Sequence, residues 1–243
     1  MTDRPARVVA LPVRSHWQQY TRPLLDHLLA FEACDRILVF DNGSKDETWT
    51  ELEAMEDEYP QVEPLLSVDR GLYAMWNEAL QIAKAYAEWC GSLVDLVIAN
   101  NDIRLPAGSL GKMSDHLRER SDVVAVSPDP NRSAASGIAA RCSTQLVSGS
   151  YRHGGLLGWC FMVKAEDPRV TPFDEGFGWW AGDDDAFLTW EHKNNGRLAR
   201  VLGVGCDHVG SGTASDGSNG WTETAKGRDH ERFEAKWGAG SGW

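Results

Sequence analysis

Residues 95–102, reading DLVIANND, limit the fold more than any other stretch. Four apolar residues run straight into two asparagines and an aspartate. A short unbroken apolar run bounded by polar residues suits a strand covered on both faces, as in a mostly parallel sheet. In open α/β sheets, ligands bind beyond the carboxyl ends of the strands. Asn100, Asn101 and Asp102 are therefore expected at the edge of a site. One carboxylate with two amides suits a divalent cation that keeps positions open for phosphate oxygens. A polar turn, with Asp102 capping the next element, accounts for the same residues.

The rest of the chain repeats the pattern. Buried strands are expected at 7–13 (RVVALPV), 36–40 (RILVF), 122–127 (DVVAVS), 156–164 (LLGWCFMVK) and 197–204, with a weaker one at 62–68. Apolar stripes at helical spacing fall at 20–32, 47–58, 72–89 and 108–120, with a further helix at 186–194. Strand, helix, strand at short spacing predicts right-handed βαβ units, hence a three-layer α/β/α fold around one sheet. Residues 128–150 are small, polar and proline-bearing, and read as a long loop; 171–185 also reads as loop. One domain over 1–210 is expected, with a tail over 211–243 that carries a short helix at 223–237 and packs on it.

Bulk properties narrow the class. No run of about 18 apolar residues exists, so no membrane span is expected, and the N-terminal apolar stretch is too short for a signal peptide. The five cysteines are scattered without a CxxC pair, which suits reduced thiols and a cytoplasmic protein. A net charge of −12 disfavours non-specific binding to nucleic acid or anionic membrane. An acidic protein that binds a nucleotide needs a cation or placed arginines for the phosphates.

Four further segments carry candidate chemistry. Asp41, ending a strand in DNGSKDET, suits acceptance from a ring N–H such as the imide of uracil, with Asn42 beside it; an Asx-type turn is the other reading. In RGLYAMWN, Arg70 and Gly71 stand at a helix start, where free N–H groups attract a diphosphate. Asn77 lies nearly two turns further in, either toward the ligand or in solvent. In FDEGFGWWAGDDD, Trp179 and Trp180 precede Asp183, Asp184 and Asp185. Aromatic faces beside carboxylates suit a sugar, and a carboxylate whose pKa its neighbours raise suits a general base. Finally His208 follows the last strand, placed as a second ligand to a cation, with Gly210-Ser211-Gly212-Thr213 after it.

Taken together, these segments resemble the family-2, GT-A-fold glycosyltransferases, especially the short single-domain enzymes of bacteria and phages. The matching pieces are ALPVR, DNGSKDET, RGLYAMWNEAL, VIANNDI, FDEGF with GDDD, a strand followed by His208, and FEAKWG, in the family's order along nearly the whole chain. The resemblance implies that Asp41 holds the nucleobase, with Pro12 and Arg14 lining its pocket. It implies that Asp102, in an NND version of the DxD-type motif, binds Mn²⁺ or Mg²⁺ with His208. Arg70, Asn77, Asn100, Asn101 and Trp180 then complete the nucleotide-sugar set. One of Asp183–Asp185 is the implied base. The family pattern is Glu-Asp-x-Asp where this chain has Gly-Asp-Asp-Asp, and Asp184 is taken over Asp183.

The implied activity is inverting transfer of a sugar, from a UDP-sugar first, to an acceptor hydroxyl on a glycan, a protein or a modified nucleobase. A hydroxymethylated base in phage DNA is one such acceptor, and Arg132, Arg141 and Arg152 form a local basic rim for it. Two other classes use the same residue types. A nucleotidyltransferase ordinarily places a glycine-rich basic loop after its first strand, and ALPVRSHWQQY contains no glycine. A non-catalytic sugar-binding module keeps the tryptophans without needing Asp102, the three aspartates and His208 together.

Overall fold

The structure is a computed structural model that describes residues 4–149, 154–209 and 223–238. Arg152 and the 210–213 run lie outside the described residues. One eight-stranded sheet organises the chain, in the order β3-β2-β1-β4-β8-β6-β9-β7. Its left half, β1 (Ala6–Val13), β2 (Arg36–Asp41), β3 (Val62–Leu66) and β4 (Val94–Ala99), is wholly parallel. On the other side β8 (Cys160–Lys164) runs antiparallel to both β4 and β6 (Val123–Asp129). β9 (Arg197–Gly205) is parallel to β6, and β7 (Ser143–Val147) is antiparallel to β9 at the edge.

The strand-like apolar runs are continuous because both faces are covered. Along β1, Val8 and Ala10 enter one core cluster while Val9, Leu11 and Val13 enter the other. Successive side chains of a strand point to opposite faces, so a fully buried strand is apolar throughout. The first cluster takes Tyr73, Trp76 and Ala79 from α3 (Leu72–Cys90), Phe187 from α5 (Gly182–Leu188) and Phe233 from α6 (Glu223–Trp237). The second takes Leu25 and Leu28 from α1 (Arg22–Phe31), Met55 from α2 (Thr48–Glu58) and Met113 from α4 (Ser109–Arg118). Three layers result, as the pattern of the sequence predicts.

Three expectations fail in the second half. Residues 128–150 are not one loop: they hold a 3₁₀ turn at Ala134–Ser136 and the edge strand β7. As an edge strand β7 is mostly solvated, so STQLV shows neither the apolar run nor the alternation that marks a strand. The three aspartates are not loop residues before a helix; they form the first turn of α5, which passes into one wide turn at Thr189–Lys193. The apolar run at 156–164 also yields a strand only from Cys160.

At the amino-terminal end of the sheet, Asp95 is fully buried and accepts from Arg118 Nε at 2.8 Å and from the Ser114 hydroxyl, while Arg118 also pairs with Glu166. Burial raises the Asp95 pKa even though Arg118 acts to lower it. Arg118→Met leaves that carboxylate buried without its cation, a loss of about 3–5 kcal/mol. A carboxyl whose folded pKa is raised binds more protons folded than unfolded, so it favours the fold at acid pH and loses that contribution as pH rises. Urea denaturation of the variant is expected to show a deficit that widens as pH rises through and above the carboxylate range.

Candidate active site

The parallel strands β1, β2 and β4 end on one rim, and the antiparallel β8 begins there, with Ala99 paired to Cys160. β9 delivers its carboxyl end to the same place. Its continuation β10 (Asp207–His208) pairs antiparallel with β5 (Ile103–Arg104), setting His208 opposite Ile103. Val209 N–H also donates to Asp102 O at 3.1 Å. A two-residue ribbon thus brings together groups about a hundred positions apart in the chain.

The result is compact. His208 Nε2 lies 3.1 Å from Asp102 Oδ1, and Asn100 Nδ2 lies 3.4 Å from the same ring nitrogen. Trp159 stacks on the His208 ring at 4.9 Å and 7° between planes, which fixes the orientation of the imidazole. Asn100 N–H donates to Trp159 O at 2.9 Å, so strand end and tryptophan are tied together. The donor set fits a divalent cation. One carboxylate oxygen and one imidazole nitrogen suit Mn²⁺ or Mg²⁺ with several positions left open. In this structure the two side chains meet directly, Nε2 to Oδ1 at 3.1 Å, so a cation held by both would replace that contact. Asn101 is not part of this group. Its Nδ2 donates to Thr21 Oγ1 at 2.9 Å, buried, and anchors the rim to the residue that precedes α1.

At the end of β2 the turn reading of Asp41 is realised. Ser44 N–H and Oγ donate to its Oδ1 at 2.9 and 2.6 Å, in a residue only 1% exposed. Asn42 Nδ2 donates to Arg70 O at 3.0 Å, while its buried Oδ1 has no partner. Pro12 pairs with Phe40 and Arg14 follows at the end of β1, both half-buried. Arg70 is turned along α3, paired with Glu78 and donating to Ala74 O, and it stays partly exposed. The amino terminus of α3 is partly closed, because Leu72 N–H donates to Gly178 O at 3.2 Å.

Asn77 departs from both expectations. It is neither solvated nor turned to a ligand: Nδ2 donates to Phe173 O and Glu175 Oε1, and Oδ1 accepts from Phe173 N–H at 2.7 Å. It pins the loop that leads to the acidic turn.

That turn resolves the three aspartates by their surroundings. Asp185 is 2% exposed and spent on α6, accepting from Lys236 Nζ and Trp237 Nε1, each at 2.8 Å. Asp184 is 7% exposed. Asp183 is half-buried, and a Cβ at Gly158 would fall 1.7 Å from its Oδ2. Its carboxylate therefore lies against the backbone of Gly158, the residue before Trp159, whose ring stacks on His208. Trp180 stands three positions earlier, half-buried, with Lys226 Nζ 5.5 Å above its ring.

Tyr73 holds the turn, and the sequence pattern hides it among the apolar residues of α3. Its hydroxyl accepts from Gly182 N–H at 2.9 Å, and its one proton has Trp179 O at 3.2 Å and Asp183 Oδ1 at 3.4 Å as alternative acceptors. Burial, then the negative charge of Asp183, raises its pKa well above the usual value, so it stays a donor. Gly182 sits so close that a Cβ would stand 2.5 Å from the ring. Ala181 before it is left-handed at φ 62°, as are Ser15 and His16 after β1, at 59° and 61°. Such conformations cost about 1–3 kcal/mol each and persist where the surroundings impose them.

The sequence model of glycosyl transferase family 2 matches residues 9–145, more than half of the chain. The chain belongs to glycosyl transferase family 2. No curated protein matches it by sequence. Among solved structures, this family-2 chain is similar to a mannosyltransferase from Pyrobaculum calidifontis in complex with GDP-Man and Mn²⁺. The TM-score is 0.65 at 20% identity, over 97% of this chain and 64% of the other. It is also similar to GalNAc-T7 with UDP, GalNAc and Mn²⁺, at TM-score 0.65 and 11% identity, over 85% of this chain and 44% of the other. A third is glucosyl-3-phosphoglycerate synthase from Mycobacterium tuberculosis with Mn²⁺, UDP and glucosyl-3-phosphoglycerate, at TM-score 0.58 and 13% identity, over 94% and 80% of the two chains. The chain thus spans less than two thirds of the first two, and the likeness establishes the GT-A fold. Among the described residues no helix is long and apolar enough to cross a membrane.

Proposed function

We propose that this family-2 chain transfers a sugar from a nucleotide-diphosphate sugar, with a UDP-sugar favoured, to an acceptor hydroxyl with inversion at the anomeric carbon. The observation that carries the reading is the 3.1 Å approach of His208 Nε2 to Asp102 Oδ1 at the strand-end rim, with the His208 ring stacked on Trp159 and Asp183 against Gly158, the residue before that tryptophan. Solved proteins of like fold hold nucleotides with Mn²⁺ or Mg²⁺. Asp102 and His208 are the residues that would hold the cation here. When bound, the ion offsets the charge that grows on the leaving diphosphate.

The remaining work falls to the chain. Asp41 and the unpaired Oδ1 of Asn42, with Pro12 and Arg14 at the neighbouring strand end, receive the nucleobase. Arg70 exchanges Glu78 for a phosphate oxygen, since an Arg is well matched to that geometry. Trp180 offers its face to the sugar. Asp183 takes the proton of the attacking hydroxyl; we take it over Asp184 because Asp183 is the less buried and lies against Gly158, the residue before Trp159. In-line displacement needs no covalent enzyme intermediate, so a base and a leaving-group clamp suffice.

A panel of UDP-, GDP- and dTDP-sugars tests this by thermal unfolding with and without Mn²⁺. A donor present at about a hundred times its Kd stabilises the fold by about 2.7 kcal/mol, which raises the midpoint by roughly 5–10 °C for a chain of this size. The expected result is one such donor, effective only with the metal, and slow hydrolysis of that donor. A panel with no shift and no hydrolysis overturns the assignment.

A further inference from the structure

The tail helix α6 buries one carboxylate with an unusual set of partners. Asp229 is fully buried. Its oxygens accept from three successive backbone N–H groups: Gly178 at 3.1 Å, Trp179 at 3.0 Å and Trp180 at 3.1 Å. Successive amides converging on one anion make a nest, and such amides lose their partner altogether if the anion is removed. The same helix is held down along its length. Arg232 pairs with Asp174 at 2.9 Å and covers the Phe177 ring at 5.3 Å, and Phe233 enters the core. The approach is close enough that a Cβ at Gly176 would stand 2.2 Å from the Arg232 guanidinium carbon.

The nested amides lead directly to the left-handed Ala181, to Gly182 under Tyr73, and to Asp183 on Gly158. Nothing in the sequence pattern links Asp229 to this segment, about fifty residues away. We propose that Asp229 is a positioning residue for transfer: its carboxylate fixes the 178–180 backbone, and through it the aim of Asp183 and the pose of Trp180. This rests on the transferase reading above. The nucleotide part of the donor is assigned to Asp41, Asp102 and His208 on other elements, whereas its sugar is assigned to Trp180 in the nest itself.

The test uses Asp229→Asn and Asp229→Ala in the full chain, with the donor and acceptor that the wild type accepts. Both variants are expected to lose at least tenfold in kcat while the Mn²⁺-dependent midpoint shift given by the free nucleoside diphosphate, which does not reach Trp180, stays within twofold of wild type. Sodium formate is expected to restore Asp229→Ala severalfold, because a small carboxylate refills the nest. It does not restore Asp229→Asn, whose amide occupies the space. Hydrogen exchange is expected to show lost protection at residues 178–182 alone. Wild-type kcat in both variants overturns the proposal. So does global unfolding of both, since the carboxylate then holds the domain rather than the turn. A wild type that turns over no donor defeats the transferase reading separately, and exchange at 178–182 still reports whether the carboxylate holds that backbone.

Discussion

Asp102→Ala is expected to lower metal-dependent donor turnover by roughly a thousandfold, because a bound cation contributes several kcal/mol of charge stabilisation and each 1.36 kcal/mol is about tenfold in rate. Asp102 is the one carboxylate at the end of β4, and its Oδ1 is 3.1 Å from His208 Nε2. Its removal leaves an imidazole and neutral amides, a weak set for a hard divalent cation. Donor affinity falls with it, since of the groups assigned to the diphosphate Arg70 alone then remains. The fold is expected to survive, because the Asp102 main chain keeps its bond to Val209. Donor hydrolysis followed across a Mn²⁺ titration checks this. Turnover equal to wild type at any Mn²⁺ concentration removes the metal assignment.

The second large effect is at the base. Asp183→Asn is expected to lower kcat by roughly 10²–10⁴-fold, the range of general base catalysis. The amide keeps the shape and the approach to Gly158 but takes no proton. Donor binding should be unchanged, so the loss falls on kcat and not on the Mn²⁺-dependent thermal shift. Asp184→Asn serves as the control in the same experiment. Loss of transfer in Asp184→Asn with Asp183→Asn active would reverse the assignment in favour of Asp184.

The architecture was readable because it rests on short-range pattern. Apolar runs such as RVVALPV and DLVIA are unbroken where both faces are covered, and the helices between them carry their stripe at 3.6-residue spacing. Strand ends are likewise local features, so Asp41, Asn100 and Asp102 stand at the rim where the pattern sets them. What the pattern hides is of another kind. Tyr73 reads as one more core aromatic of α3, and only the folded chain shows its hydroxyl under Gly182. Trp159 meets His208 across a ribbon of two-residue strands, too short to carry any period. Asn77 has its polar neighbours ninety-six and ninety-eight positions away, and those contacts decide that it tethers a loop. The three aspartates are equivalent as letters. Asp185 is set apart only by Lys236 and Trp237, which arrive on α6.

Anomalous scattering from crystals grown with Mn²⁺ and UDP locates both the cation and the nucleotide. One manganese peak is expected within about 2.3 Å of both an Asp102 carboxylate oxygen and His208 Nε2, with the UDP diphosphate beside it. A manganese ion bound elsewhere, or UDP seated away from the ends of β1, β2 and β4, would contradict the site assignment.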